Sequence, residues 1–243
     1  MPADAPTIVA TSIGFDSRGR DAYDFDAGPV FDLAAELSGA AGTPKVCYLG
    51  TAAGDHPAWL AGVYSALSSR FRASHLELFT MPNVADVRGH LLDQDVVWVG
   101  GGSVANLLAL WRLHGWDAYL REAWQSGVVL GGVSAGSLCW HIGGTTDSFG
   151  PTLRPVTNGL AFLPFSNGVH YNSEEQRRPL YHSLVQDGTL PDGYATDDGV
   201  GLVYRGTELM EAVADCPDGL AYSVSRNPDG SVSETVIEPR RLR

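Results

Sequence analysis

Val128-Val129-Leu130-Gly131-Gly132-Val133-Ser134-Ala135-Gly136-Ser137 is the stretch from which the fold can be read. Three apolar residues open it as a buried strand, and residues 137–141 continue it as a helix-compatible run. Between them, Gly132 to Gly136 fits the G-x-S-x-G spacing of a nucleophile on a sharp strand-to-helix turn. A serine at such a turn sits in strained backbone with its Oγ pushed into the open. The residues two before and two after it must lack side chains, or strand and helix could not approach each other. Glycine meets both needs. The helix start then places partial positive charge beside a developing oxyanion. The plainer reading is a Gly-rich turn with a serine N-cap.

Working outward, residues 95–99 form a second buried strand that ends in Gly100-Gly101-Gly102-Ser103 and runs into a helix through Leu113. Side-chain-free backbone there can turn one N–H, from Gly101 or Gly102, toward the serine. With the N–H of Ala135 it would make a two-donor oxyanion hole, each donor being worth about 10²–10³ in rate. A phosphate cradle would need a following Lys-Ser/Thr, which Ser103-Val104 does not supply. Residues 116–125 read as a further helix. Upstream, residues 7–13, 46–49 and 75–79 read as strands, and residues 30–37 and 56–71 as helices. This alternation predicts an α/β fold with a mostly parallel sheet covered on both faces. Ligands of such sheets bind at the carboxyl ends of the strands. Downstream the texture changes. Residues 167–171 look like a strand end, and Ser173 looks like the N-cap of a helix with Glu174 and Glu175 in its first turn. Short alternating strands follow at 199–204, 211–213, 221–224 and 233–237, an antiparallel C-terminal edge. No repeat or linker interrupts the chain, so residues 1–243 read as one domain.

The net charge of −12 argues against a nucleic-acid partner. No apolar run reaches the length of a membrane span, and the opening MPADAPTIVA lacks a leader's basic and apolar regions. Cys47, Cys139 and Cys216 show no paired spacing, which suits reduced thiols in the cytoplasm and no metal site. No HExxH or clustered Cys/His set calls for a metal or an organic cofactor. Trp111, Trp116 and Trp124 could line a homo-oligomer interface or pack into the core.

A nucleophilic serine needs a base, and seven histidines compete. His75, His90 and His114 sit in polar or amphipathic contexts. His141 lies two helical turns from the serine. His56 lies just beyond a strand end and stays possible. His170, at a strand end before a helix start, has the best position. The base in turn needs a carboxylate to fix its tautomer. Asp197-Asp198-Gly199 falls between apolar segments, where an ordinary turn is the competing reading.

Taken together, Val99 to Gly102 with Asn106-Leu107-Leu108, the serine turn, Leu163-Pro164-Phe165 through His170-Tyr171, Arg177-Arg178, and Ala195 to Gly199 resemble the dipeptidase E and cyanophycinase family of serine peptidases. The likeness spans about residues 46–205, in order and at matching spacing. It implies a flavodoxin-like three-layer sandwich, like the class I glutamine amidotransferases, which carry cysteine where this chain has Ser134. It also implies Ser134 as nucleophile and His170 as base. Asp198 falls where the family usually carries glutamate, so Asp198, or Asp197 in its place, would orient the imidazole.

The implied activity is hydrolysis of short peptides, with preference for an N-terminal aspartate held by an arginine. Arg177 and Arg178 are the candidates because a guanidinium pairs a carboxylate bidentately. Arg154 is a third. The alternatives are cleavage of β-linked aspartyl peptides by the same machinery and a non-catalytic binding protein that retains the fold. The loop at 145–155 is a candidate wall that would restrict the site to short peptides.

Overall fold

The computed structural model describes residues 3–17 and 23–243; Met1 and Pro2, which head the stretch read for a leader, lie outside them. The first half runs β1 Thr7–Thr11, β2 Asp16–Ser17, β3 Phe25–Asp26, α1 Pro29–Ser38, β4 Lys45–Leu49, α2 Pro57–Leu67, β5 Arg72–Leu76, α3 Val87–Leu92, β6 Val96–Val99, α4 Val104–His114 and α5 Trp116–Gln125. The second half runs β7 Val129–Val133, α6 Ala135–Leu138, β8 Gly143–Thr146, β9 Arg154–Val156, β10 Ser166–Gly168, α7 Arg177–Gln186, β11 Gly193–Thr196, β12 Val200–Arg205, β13 Glu208–Ala214, β14 Ala221–Arg226, β15 Val232–Ile237 and β16 Arg240–Arg241.

Eight strands form the main sheet in the order β16-β13-β12-β1-β7-β6-β4-β5. From β1 to β5 every neighbour is parallel, while β12 and β13 add an antiparallel edge. Side chains alternate across it as the pleat demands. Val9, Val46, Tyr48, Val96 and Trp98 face Phe31 of α1 and Leu60, Val63 and Leu67 of α2. Ile8, Cys47, Val97, Val99 and Leu130 face the opposite core, with Leu107, Trp111 and Leu120 from α4 and α5. Helices on both faces make the flavodoxin-like three-layer sandwich. Each fully buried Leu or Val contributes about 1.5–3 kcal/mol to it. Trp111, Trp116 and Trp124 are all buried, so they belong to the core. No helix among the described residues is long and apolar enough to cross a membrane.

Beyond α6 the molecule holds more than an edge. A second, six-stranded sheet runs β15-β14-β11-β10-β8-β9, and α7 covers it through Tyr181, Leu184 and Val185. Two local expectations shift as well. The strand expected at 75–79 is instead Arg72–Leu76, because the buried Asp55 carboxylate takes the N–H groups of Leu78 (2.6 Å) and Phe79 (3.3 Å) away from any ladder. The helix expected to begin at Ser173 begins at Arg177.

Candidate active site

Ser134 follows β7 with φ 58° and ψ −110°, a conformation that costs a non-glycine residue roughly 1–3 kcal/mol. Packing imposes it. A Cβ on Gly136 would stand 2.2 Å from the carbonyl oxygen of Val99, and one on Gly132 would stand 2.6 Å from that same oxygen. Strand β6, strand β7 and helix α6 therefore meet where only glycine fits. The Ser134 N–H is anchored to the Thr11 carbonyl at 3.0 Å. Helix α6 is a single turn of four residues, so the expected positive field reduces to local N–H groups and not a long-helix dipole.

The loop after β6 passes beside the serine: a Cβ on Gly101 would lie 3.5 Å from Ser134 Cβ. Gly102 takes φ 132°, and a Cβ there would meet the Ala52 carbonyl at 2.4 Å. Its neighbours Gly100 and Ser103 donate to Leu49 O and Ala52 O at 3.0 and 2.9 Å. Among the described residues, the N–H groups of Gly101, Gly102 and Ala135 have no acceptor.

His170 follows β10 in the second sheet with φ 52°. Its Nδ1 and Asp198 Oδ1 are 2.5 Å apart. Burial pushes the Asp198 carboxyl up, but hydrogen bonds from His170 and Ser173, with the charges of His170 and Arg177, outweigh it and hold Asp198 below its ordinary value. Asn172 Oδ1 accepts the Asp198 N–H at 2.9 Å. Ser173 is therefore drawn to the acid, which is why it does not cap a helix. Asp197 points elsewhere: its Oδ2 accepts from Leu220 N (3.0 Å) and Tyr222 Oη (3.3 Å), and burial raises its carboxyl.

The two sheets meet at Thr11-Ser12, at the carboxyl end of β1. The Ser12 hydroxyl accepts the His170 N–H (3.1 Å) and contacts the Thr196 hydroxyl (2.8 Å), while its carbonyl accepts the Gly199 N–H (3.1 Å). Sequence reasoning missed Ser12. Its position at the end of a central parallel strand, where sites gather, was the available signal.

Ser134 and His170 border one cavity of about 330 Å³, walled largely by Phe15, Tyr48 and Trp59. No hydrogen bond joins their side chains, a spacing that in substrate-free sites often closes only when substrate binds. Of the other histidines, His141 is buried with Nδ1 on the Ser137 carbonyl (2.9 Å), and burial pushes it down to about 4. His56 is exposed and stacks on Tyr23.

The two arginines lie outside this cavity. Arg177 is buried and forked onto Glu174 (2.8 and 3.1 Å), with Nη1 on the Thr145 carbonyl (2.7 Å). Arg178 pairs with Glu234 and lies over the rings of Tyr171 and Tyr222. Arg154 is exposed on β9. Among the described residues no group of His, Cys, Asp and Glu is arranged to hold a metal.

The sequence profile of peptidase family S51 matches residues 26–212. A Bacillus subtilis (strain 168) protein named "uncharacterized peptidase YgaJ" is 41% identical over 182 residues, covering 74% of this chain and 78% of that protein. A Shewanella denitrificans protein named peptidase E is 29% identical over 163 residues, covering 63% of this chain and 67% of the relative. Among solved structures, a peptidase from an acI-B1 Actinobacterium superposes with a TM-score of 0.68 at 18% identity, covering 97% of this chain and 95% of that one.

Proposed function

We propose that this chain, which belongs to peptidase family S51, cuts short peptides through an acyl-enzyme on Ser134. It is a peptidase, and the finer reading concerns how it works. The observation that carries it is the contact between His170 Nδ1 and Asp198 Oδ1 beside a cavity that His170 shares with the strained Ser134. Asp198 holds the imidazole with Nε2 free of its proton. His170 takes the Ser134 proton as Oγ attacks the scissile carbonyl. The N–H groups of Ala135 and of Gly101 or Gly102 stabilise the tetrahedral oxyanion. His170 then returns the proton to the leaving amine and activates the water that releases the acid.

The hairpin of β8 and β9 supports restriction to short peptides. Ser148, in its loop, accepts the Ala105 N–H at the start of α4 (3.3 Å) and so stands beside the glycine loop. Preference for an N-terminal aspartate, and cleavage of β-aspartyl links, would both call for a cation at the pocket. Arg177 and Arg178 are held by Glu174 and Glu234, so neither of these two is free to supply it. The free thiols of Cys47, Cys139 and Cys216 fit a reducing cytoplasm.

Labelling with a fluorophosphonate tests the mechanism. Wild type should be labelled at Ser134 and should hydrolyse part of a panel of dipeptides and aminoacyl arylamides. Ser134→Ala should lose the label and at least about 10⁴-fold in kcat. Equal labelling or equal hydrolysis in the two proteins would refute it.

A further inference from the structure

We infer that Ser12 is a positioning residue for the peptidase reaction: through its hydroxyl and its carbonyl it sets His170 and the Asp198 turn against Ser134 where the two sheets meet. This rests on the mechanism proposed above and deepens it by naming the residue that aligns its parts.

The alignment has to cross a joint. Ser134 follows β7 in the main sheet, whereas His170 follows β10 in the second sheet. Among the described residues, the ladder partners of β7 are β1 and β6, and those of β10 are β8 and β11. Strand pairing thus fixes each residue within its own sheet and leaves their mutual placement to contacts between the sheets. Thr11 and Ser12 supply such contacts from consecutive positions. The Thr11 carbonyl accepts the Ser134 N–H (3.0 Å), and the Thr11 hydroxyl donates to the Gly132 carbonyl (3.0 Å). One residue on, the Ser12 hydroxyl accepts the His170 N–H (3.1 Å), and the Ser12 carbonyl accepts the Gly199 N–H (3.1 Å). The Ser12 N–H donates to the Val200 carbonyl (2.8 Å), so its own backbone is pinned. A second bridge runs from the Ser137 hydroxyl to Asn167 Oδ1 (2.8 Å), but it holds β10 three residues before the base.

The hydroxyl suits the task chemically. Ser12 is 5% exposed and Thr196 is fully buried, so water does not compete for their bonds. Ser12 Oγ has one proton to give, and Thr196 takes it at its hydroxyl (2.8 Å) or its carbonyl (3.3 Å). The lone pairs of Oγ are then left for the His170 N–H. The Thr196 carbonyl also accepts the Tyr171 N–H (3.1 Å). Ser12 and Thr196 therefore grip the backbone on both sides of the His170 Cα.

That grip matters because His170 stands at φ 52°, a conformation that a residue with a side chain keeps only where its surroundings hold it. At Ser134 glycine packing does the holding. At His170 these hydrogen bonds do. A methyl in place of the Ser12 hydroxymethyl would leave the His170 N–H without its acceptor in a site closed to water. The backbone would then relax and carry the imidazole away from Ser134 Oγ, and a displacement of about 1 Å is enough to cost about 100-fold in rate.

A double-mutant cycle separates positioning from mere support. Its readouts are kcat and KM on the best substrate of the dipeptide and arylamide panel and the rate of fluorophosphonate labelling. Ser12→Ala should lower kcat and the labelling rate alike by about 10- to 100-fold and leave KM within about threefold. Ser12→Cys fills the space but accepts hydrogen bonds poorly, so it should lose as much without opening a cavity. Ser12→Thr keeps the acceptor and should stay within about fivefold of wild type. In a His170→Ala background, Ser12→Ala should cost less than about twofold more, because its effect passes through the imidazole. Wild-type kcat in Ser12→Ala or Ser12→Cys would overturn the inference and leave the mechanism standing. So would a loss that multiplies fully onto His170→Ala, which is general loosening, or a raised KM at unchanged kcat, which is substrate contact. Wild-type labelling and turnover in His170→Ala itself would instead remove the mechanism on which the inference rests.

Discussion

Ser134 is held by steric exclusion, whereas His170 and Asp198 are held by directed polar contacts. On the serine side, β6, β7 and α6 converge until backbone touches backbone at Gly132 and Gly136, and the strained serine has no other place to go. On the histidine side, two short strands end in loops. There the Ser12 hydroxyl, the Asn172 amide, the Ser173 hydroxyl and the Cys216 thiol each bond to His170 or to the Asp198 turn. The Asp198 side chain is 47% exposed, which no group on the serine side needs to be. In the proposed mechanism the nucleophile gains from rigidity, since its Oγ must meet one trajectory. A base that passes a proton first one way and then the other gains from contacts that orient it without locking it.

Substituting the acid probes this difference hardest. Asp198→Asn keeps the shape and loses the charge, so it should lower kcat by about 10³–10⁴ while fluorophosphonate labelling merely slows. It should leave the melting temperature nearly unchanged, because an exposed carboxylate adds little to stability. Its pH behaviour has a definite sign. Asp198 lies below its ordinary value in the fold, so any stability it contributes is complete above the unfolded value, about 4, and is lost as pH falls through the lower folded value. Wild-type kcat/KM should therefore show no Asp198 limb above about pH 4. A limb near pH 5 would mean that the acid is not paired as described.

The opposite signature is expected at the elbow. Gly136→Ala would push a methyl to 2.2 Å from Val99 O and 2.8 Å from Val99 Cβ, with no flexible side-chain end there to yield. It should destabilise the fold by about 2–3 kcal/mol, read as a lower urea midpoint at unchanged m-value, and should lower labelling and turnover together. Retained stability with lost activity would show that the elbow bends more easily than packing suggests.

The same contrast explains what could be read from the sequence. The elbow was legible because the close approach of β6 falls on two glycines within five residues, Gly132 and Gly136, and so leaves a local signature. The parallel sheet was legible because its strands are buried on both faces. His170 and Asp198 were not legible from pattern alone. The strands that deliver them, Ser166–Gly168 and Gly193–Thr196, are three and four residues long and show no usable period. Position favoured His170 only modestly and left the Asp197-Asp198 turn open, and the resemblance decided between the alternatives. The second sheet went unread for that reason, and its strands were taken as an edge. The pocket walls were harder still. Phe15, Tyr48 and Trp59 come from a loop, a strand and a helix, each of which reads locally as ordinary core. The pairing of Arg177 with Glu174 and of Arg178 with Glu234 could not be read either, because a paired arginine and a free one look alike in a sequence.

The smallest effect tests the seam between the two sides. Asp215 follows β13, and its N–H donates to the Gly199 carbonyl (3.0 Å), next to the acid turn. Burial, and then the Asp16 carboxylate, push its carboxyl up to about 6. Between about pH 4 and 6 the folded chain therefore holds a proton there that the unfolded chain has released. Stability falls as pH rises through that window and stays lower above it. Asp215→Asn removes the charge and keeps the size. At pH 8 it should raise the melting temperature by about 2–4 °C, the equivalent of about 1 kcal/mol for a chain of this length, and below about pH 4 it should change nothing. Scanning calorimetry of both proteins at pH 4 and pH 8 decides it. An equal gain at both values would mean that the side chain, not its charge, strains the seam. The polar side would then be limited by packing after all, and its difference from the elbow would be one of degree.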